Sequence, residues 1–189
     1  FNLSTGAAIV AAAAGARVAK HGNRAVTSRC GSADVLEALG VRLDIGPERQ
    51  QEVLEKTGIV FLFAPVHHPA MKNVALARKS LGVRTVFNQL GPLANPAGAK
   101  RQLVGVYDRE LLRTMAEALV LLGTERAFVV PSHEGMDEVS PCGATHVAEV
   151  VGGGIVESTI DPSTFGMDAV SFSDIEAAGS VEDAARSLT

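Results

Sequence analysis

The chain has no tryptophan, one tyrosine and two cysteines among its 189 residues. So few large aromatic rings argue against a surface built to stack the bases of a nucleic acid. Cys30 and Cys142 are too few for a disulfide framework and lack C-x-x-C metal spacing, although two cysteines can also pair; a reducing, cytoplasmic setting is the expectation. Proline is scarce at eight residues, and 47% of the chain is hydrophobic. Disorder is thereby excluded, and a folded soluble domain of this length buries roughly 70% of its unfolded surface. Long apolar runs are missing too. The longest small-apolar stretch, Gly6 to Ala16, falls short of the ~20 residues that span a bilayer, so no membrane partner is expected. There is no initiating methionine and no charged leader before an apolar core, hence no targeting signal; opening directly on the capping sequence "FNLST" reads as a fragment. Finally, no acidic residue precedes Asp34, so Arg17, Lys20, Arg24 and Arg29 form a cationic island in a protein of formal net charge −4.

What is present alternates helix with strand. Asn2, Ser4 and Thr5 can cap a helix that continues through the alanine run. "RVAKHG" is a short strand or extended segment, and "GSADVLEALG" (31–40) has the cap, apolar spacing and terminal glycine of a second helix. Pro47 opens a third, ending at Gly58. "IVFLFAPV" (59–66) is a continuous apolar run that predicts a strand buried on both faces. "HPAMKNVALARKSLG" (68–82) is amphipathic and helical, whereas the glycine, proline and asparagine after Phe87 predict a loop. "DRELLRTMAEALVLLG" predicts another helix, "RAFVVPS" another buried strand, and "THVAEVVGGGIVESTI" a hairpin around Gly152–Gly154. The pattern is α/β with a largely buried sheet. With no repeat, low-complexity tract or linker, residues 1–189 are expected to form a single domain.

Three groups of residues could carry chemistry. The first is "NLST" followed by "KHGNRAVTSRCGS": hydroxyls, helix-start amides and cations donate to a phosphate without bringing negative charge. An ordinary cap beside a solvated basic loop accounts for the same spacing equally well, and the segment is no Walker loop. The second is Asp137–Glu138 in "HEGMDEVS". Most such pairs are solvated surface, yet adjacent carboxylates past a buried strand can hold a hard cation such as magnesium, on the usual ligand side of an open α/β sheet. The third lies on the helix after His68, where Arg78, ten residues on, can offer a guanidinium fork to a carboxylate or serve only as a surface ion-pair partner. His67 and His68 are adjacent and have no suitably spaced third ligand, so zinc is not supported. A hydrolase triad is not supported either, since there is no G-x-S-x-G elbow.

In this order "FNLST", "KHGNRAVTSRCGSADVLEALG", "HHPAMKNVALARKSLGVRTVFNQLGPLANP" and "GMDEVS" closely resemble the anthranilate phosphoribosyltransferases of the tryptophan pathway. The resemblance covers essentially the whole chain, most specifically residues 1 to 140. It implies the family's large phosphoribosyl-binding domain, α/β with a central, largely buried sheet flanked by helices. It also implies transfer of phosphoribose from phosphoribosyl pyrophosphate to the amine of anthranilate, with two magnesium ions per site. By motif, Asn2, Leu3, Ser4 and Thr5 are similar to the segment that contacts phosphoribosyl pyrophosphate, with Ser4 close to a magnesium ion. Lys20, His21, Gly22, Asn23, Arg24, Ala25, Val26, Thr27 and Ser28, with Ser32 beyond them, resemble the loop around the phosphates and ribose, in which Gly22 would be the permissive bend. Asn23 and Arg78 resemble the anthranilate contacts, and Asp137 and Glu138 the ligands of the second magnesium.

As the bond to pyrophosphate breaks, negative charge grows on the leaving group, so fixed cations and metal ions stabilise the transition state and positioning does most of the rest. No catalytic residue is certain. His21 is the candidate general base, with orienting the loop or lining the anthranilate site as its other roles. The resemblance further implies a glycine-rich pyrophosphate loop and a dimer-forming helical domain before residue 1, and helices after Thr189. The 189 residues alone are therefore expected to show little turnover, and the full-length protein to be a homodimer. Two other readings are a non-catalytic nucleic-acid-binding relative, opposed by the net charge and by Asn23 and Arg78 occurring together, and a pyrimidine nucleoside phosphorylase, which would need no arginine for a substrate carboxylate.

Overall fold

Asn2 starts the first helix as the sequence predicts, its Oδ1 accepting the amide of Thr5 at 3.1 Å. The computed structural model describes residues 2–25, 30–81, 83, 85–131, 136–175 and 179–189, without the side chains of Arg78 and Lys79. In chain order the elements are α1 (Leu3–Ala13), β1 (Val18–Gly22), α2 (Ser32–Ala38), α3 (Pro47–Thr57), β2 (Ile59–Phe63), α4 (Ala64–His67), α5 (Lys72–Leu81) and α6 (Phe87–Leu93). There follow β3 (Arg101–Gly105), α7 (Leu111–Leu121), β4 (Arg126–Val130), β5 (Thr145–Val151), β6 (Gly154–Ile160) and α8 (Val181–Arg186), with short 3-10 turns between some of them. The fold is mixed α/β, with helices packed on its sheets. Residues 1–91, 95–97 and 176–189 make one compact unit, and residues 92–94 and 98–175 a second.

In the first unit β1 and β2 run parallel, from Val18 opposite Ile59 to Gly22 opposite Phe63. Val60, Phe61 and Leu62 are buried. Phe61 packs with Ala33, Leu36 and Leu43, so α2 is anchored on this strand pair. The other side of α2 buries Val35 against Ala184 and Ala185 of α8. Between the strands, α3 starts with Pro47 in its first turn and stops at Gly58, whose φ of 77° is the left-handed conformation glycine adopts at low cost.

Two expectations change here. The second strand ends at Phe63, not Val66, because Ala64–His67 turns into α4 with Pro65 in its first turn. The loop expected after Phe87 instead begins with α6. Asn88 accepts the Thr85 amide through Oδ1 at 2.9 Å and donates its own amide to the Thr85 carbonyl at 2.9 Å. This local cap outweighs the composition, although Pro92 inside the helix cannot donate to the Asn88 carbonyl one turn earlier.

The second unit is a four-stranded sheet in the order β3-β4-β5-β6, parallel between the first two and antiparallel thereafter. The β5–β6 hairpin turns through Gly152 and Gly153, both at positive φ, as expected. Leu112, Met115, Ala116 and Leu119 of α7 cover one face, against Val104, Ala127, Val129, Ala148 and Val150. Strand β3 has no clear sequence signature: Leu103 is exposed and Val104 buried, so five residues of mixed polarity give too little alternation to read. On the other face, Leu103, Phe128, Glu149 and Val156 form one cross-strand row. Arg126 pairs there with Glu149 at 2.7 Å and lies 5.3 Å over the Phe128 ring.

Candidate functional site

Within the first unit, chain segments far apart in sequence meet at the start of α1. Asn2 Oδ1, besides capping the helix, lies 3.4 Å from the Ser32 hydroxyl, thirty residues on. Ser4 Oγ accepts from Lys20 Nζ at 3.1 Å and itself lies 3.5 Å from Asn2 Oδ1. Lys20 reaches this point because β1 lies beside α1, and Ser32 because it opens α2. Thr5 is 1% exposed, and its hydroxyl has no partner among the described residues. Four residues singled out from the sequence, Asn2, Ser4, Lys20 and Ser32, are thus brought together with the first-turn amides of α1, a donor-rich setting for an anion.

Histidine 21 is held by two contacts. Its Nδ1 lies 3.2 Å from the Gly91 carbonyl and its Nε2 lies 3.1 Å from Nε2 of His68. A carbonyl only accepts, so Nδ1 carries the proton; the neutral ring then presents a lone pair at Nε2, to which His68 donates. Burial lowers the His21 pKa below 6.5, the Gly91 contact opposes this, and His68, His67 and Lys20 lower it further. Burial, then His68, also lowers that of His67. Asn95 completes this region by donating through Nδ2 to the Ala19 carbonyl at 3.0 Å.

Arg24 is placed differently from the free phosphate cation the motif implies. Its guanidinium pairs bidentately with Glu37, at 2.7 and 3.0 Å, contacts Asp34 at 3.2 Å and sits 5.6 Å over the Phe63 ring. Asp34 Oδ2 also accepts the amides of Ala25 at 2.9 Å and Gly31 at 3.0 Å. Burial pushes the Asp34 carboxyl upward, but these amides and Arg24 outweigh it and hold the group below its ordinary value. The hydrogen bonds from Arg24 likewise lower the pKa of Glu37. Asn23, exposed, accepts the Arg24 amide at 2.8 Å through Oδ1. Gly22 ends β1 and is not at positive φ; a Cβ there would lie 2.8 Å from the Phe61 ring, so glycine answers to packing, not to a bend. Val26, Thr27 and Ser28 lie outside the described residues, as does the side chain of Arg78, which falls on α5.

In the second unit, Asp137 and Glu138 follow β4, Asp137 exposed and Glu138 half-buried. A Cβ on Gly105, the last residue of β3, would lie 1.7 Å from the Asp137 carbonyl oxygen, so this backbone rests directly on the strand end. The Asp137 backbone therefore stands at the carboxyl end of β3, which pairs in parallel with β4, and Glu138 follows it. Among the described residues no three His, Cys, Asp or Glu side chains converge on one metal position. Carboxylate oxygens such as those of Asp137 and Glu138, and a hydroxyl such as that of Ser4, are ligand types that magnesium takes, since it binds through few protein ligands plus water and substrate phosphate.

Asp34, Gly31, Gly91 and Asn95 also shape this region. Asp34 carried a legible signal, an acidic residue at the third position of a helix opened by Gly31. The others act through carbonyls, backbone clearance or long-range bonds, which sequence spacing does not report.

The family model described as "Glycosyl transferase family, a/b domain" matches residues 1–189. An anthranilate phosphoribosyltransferase of Persephonella marina is 57% identical over 175 residues, covering 93% of this chain and 52% of that protein. The Saccharomyces cerevisiae anthranilate phosphoribosyltransferase solved with PRPP and Mg superposes with a TM-score of 0.91 at 36% identity, over 100% of this chain and 52% of that one. The same yeast enzyme solved with 4-fluoroanthranilate gives 0.84 at 34% identity, over 100% and 51%. The chain spans about half the length of the relatives it matches. By the match along all its residues, the chain belongs to this glycosyl transferase family, as its a/b domain.

Proposed function

We propose that this chain is the phosphoribosyl-binding part of an enzyme that transfers phosphoribose from phosphoribosyl pyrophosphate to the amine of anthranilate. The products are N-(5-phosphoribosyl)anthranilate and pyrophosphate, in tryptophan biosynthesis. The observation that carries this reading is the convergence of Asn2, Ser4, Lys20 and Ser32 at the start of α1. An anion arriving there meets helix amides, two hydroxyls and an ammonium group, all donors. The yeast relatives solved with PRPP and Mg and with 4-fluoroanthranilate support the identity of the two substrates.

In this reading Asn2 to Thr5, Lys20 to Ser28 and Ser32 hold phosphoribosyl pyrophosphate, and Asn23 and Arg78 hold anthranilate by amide and guanidinium. Ser4, Asp137 and Glu138 are the residues for two magnesium ions, which when bound neutralise charge on the departing pyrophosphate. His21, whose lone pair is turned to His68, orients the Gly91 segment; no general base is assigned. Arg24 belongs to this loop, with its guanidinium held by Glu37 and Asp34. The full-length protein is a cytoplasmic homodimer formed through an amino-terminal helical domain.

Calorimetry tests the division of labour in a form extended to the full length of the relatives. Arg78→Ala should weaken anthranilate much more than phosphoribosyl pyrophosphate; equal loss of both overturns that assignment. The 189 residues assayed alone should turn over little, and normal turnover would contradict the need for the remaining segments.

A further inference from the structure

We propose that Asp34 is a positioning residue that fixes the Asn23–Ala25 and Gly31–Ser32 backbones as one piece, holding Ser32 and Lys20 in register at the start of α1. The inference rests on the functional reading above. One carboxylate oxygen accepts the amides of Ala25 and Gly31, and the other meets Arg24. The two segments are also joined directly, by the Ala33 amide donating to the Asn23 carbonyl at 3.2 Å. Their approach is so close that a Cβ on Gly31 would lie 2.2 Å from the Ala25 nitrogen and 2.5 Å from the Arg24 carbonyl carbon.

An acceptor that closes such a gap must be short and charged. Asparagine could accept both amides on its one oxygen but would turn a donor toward Arg24, and glutamate is one methylene too long. From this clamp the order passes outward: Ser32, next to Gly31, touches Asn2, and Ser4 beside Asn2 touches Lys20. Asp34 never needs to touch the phosphates, which its own charge would repel. It sets the distance between hydroxyls and ammonium that a phosphate must bridge, and a preset donor array binds without the cost of ordering.

The test is amide NMR in a form extended to the full length of the relatives, titrated with magnesium phosphoribosyl pyrophosphate, with hydrogen exchange measured on the same samples. Asp34→Ala should speed exchange at Ala25 and Gly31, leave that of Leu39 in place, and weaken phosphoribosyl pyrophosphate on the order of tenfold, the loss expected for broken charge-assisted bonds. Glu37→Gln, which removes only a partner of Arg24, should shift the affinity less than about twofold, since hydrogen bonds and ion pairs at exposed positions contribute little. Should Asp34→Ala also release Leu39, Asp34→Glu, which keeps the charge but is one methylene too long for this gap, decides by the same two readings. Faster exchange with unchanged affinity overturns the positioning role; unchanged exchange overturns the clamp. A wild-type chain whose amides do not respond to the ligand at all overturns the functional reading, and with it this inference, while the exchange rates still report on the clamp.

Discussion

The rings of His21 and His68 meet edge-on, their centroids 5.0 Å apart and their Nε2 atoms 3.1 Å apart. With the Gly91 carbonyl fixing the His21 proton on Nδ1, the pair is stable only while His21 is neutral. Its folded pKa is lowered from 6.5, first by burial, with the Gly91 contact opposing and His68, His67 and Lys20 lowering it further. A group depressed on folding contributes stability above its unfolded pKa and loses it as pH falls through the lower folded value. Thermal stability should therefore fall as pH drops below about 6.5. His21→Gln should flatten that dependence without abolishing it, because His67 is shifted the same way. Identical pH slopes for both proteins would rule out His21 as a source.

The contact between Lys20 and Ser4 makes a second prediction. Lys20→Met keeps the apolar stem but removes the ammonium that lies 3.1 Å from the Ser4 hydroxyl. We expect phosphoribosyl pyrophosphate to bind at least about tenfold more weakly. Anthranilate, which needs no phosphate donor, should be affected little when measured in the full-length form. Calorimetry with each substrate separately checks this, and equal losses would mean that the substitution disturbs the whole site.

Glycine positions offer a test of packing. Gly31→Ala forces a methyl group into backbone 2.2 Å away and should cost about 1–3 kcal/mol. Gly91→Ala meets nothing within 4 Å and lies in a helix, where alanine is favoured by up to about 1 kcal/mol. Denaturant unfolding of the two variants should move in opposite directions.

Where local chemistry decides the structure, the sequence is readable. The Asn2 cap, Pro47 with Gly58 around α3, and the Gly152–Gly153 hairpin each follow from one residue's conformational preference. Strand β3 and helix α6 are less readable, because a neighbouring strand and a two-residue cap override weak or contrary composition. The candidate site divides in the same way. Asn2, Ser4, Lys20 and Ser32 were legible as donor types, and the structure supplies their meeting point. The role of Arg24 was not legible, because balancing its charge depends on Asp34 and Glu37, ten and thirteen residues later, folding back onto it. Gly22 illustrates the same limit: its need for glycine comes from the Phe61 ring on the paired strand, and no local pattern encodes that.

The last prediction concerns Gly105, where backbone packing and proposed metal binding can be separated. Its hydrogen faces the Asp137 carbonyl oxygen so closely that a Cβ would lie 1.7 Å away, with the Asp137 carbonyl carbon at 2.7 Å and its Cβ at 3.1 Å. These are mostly backbone atoms, so Gly105→Ala must push the 137–138 segment off the end of β3. Overpacking of this kind costs about 1–3 kcal/mol, and about 2–4 °C in Tm is expected for each kcal/mol in a chain of this size. Because Asp137 and Glu138 move together, the magnesium concentration needed for half-maximal binding of phosphoribosyl pyrophosphate in the full-length form should also rise. Asp137→Asn removes one charge from an exposed position and leaves the backbone contact alone. It should raise the magnesium requirement while Tm changes by less than about 1 °C, as expected for a surface substitution. If Gly105→Ala lowers Tm but neither variant changes the magnesium requirement, the two carboxylates are ordinary surface groups and Gly105 serves only to let two backbones approach.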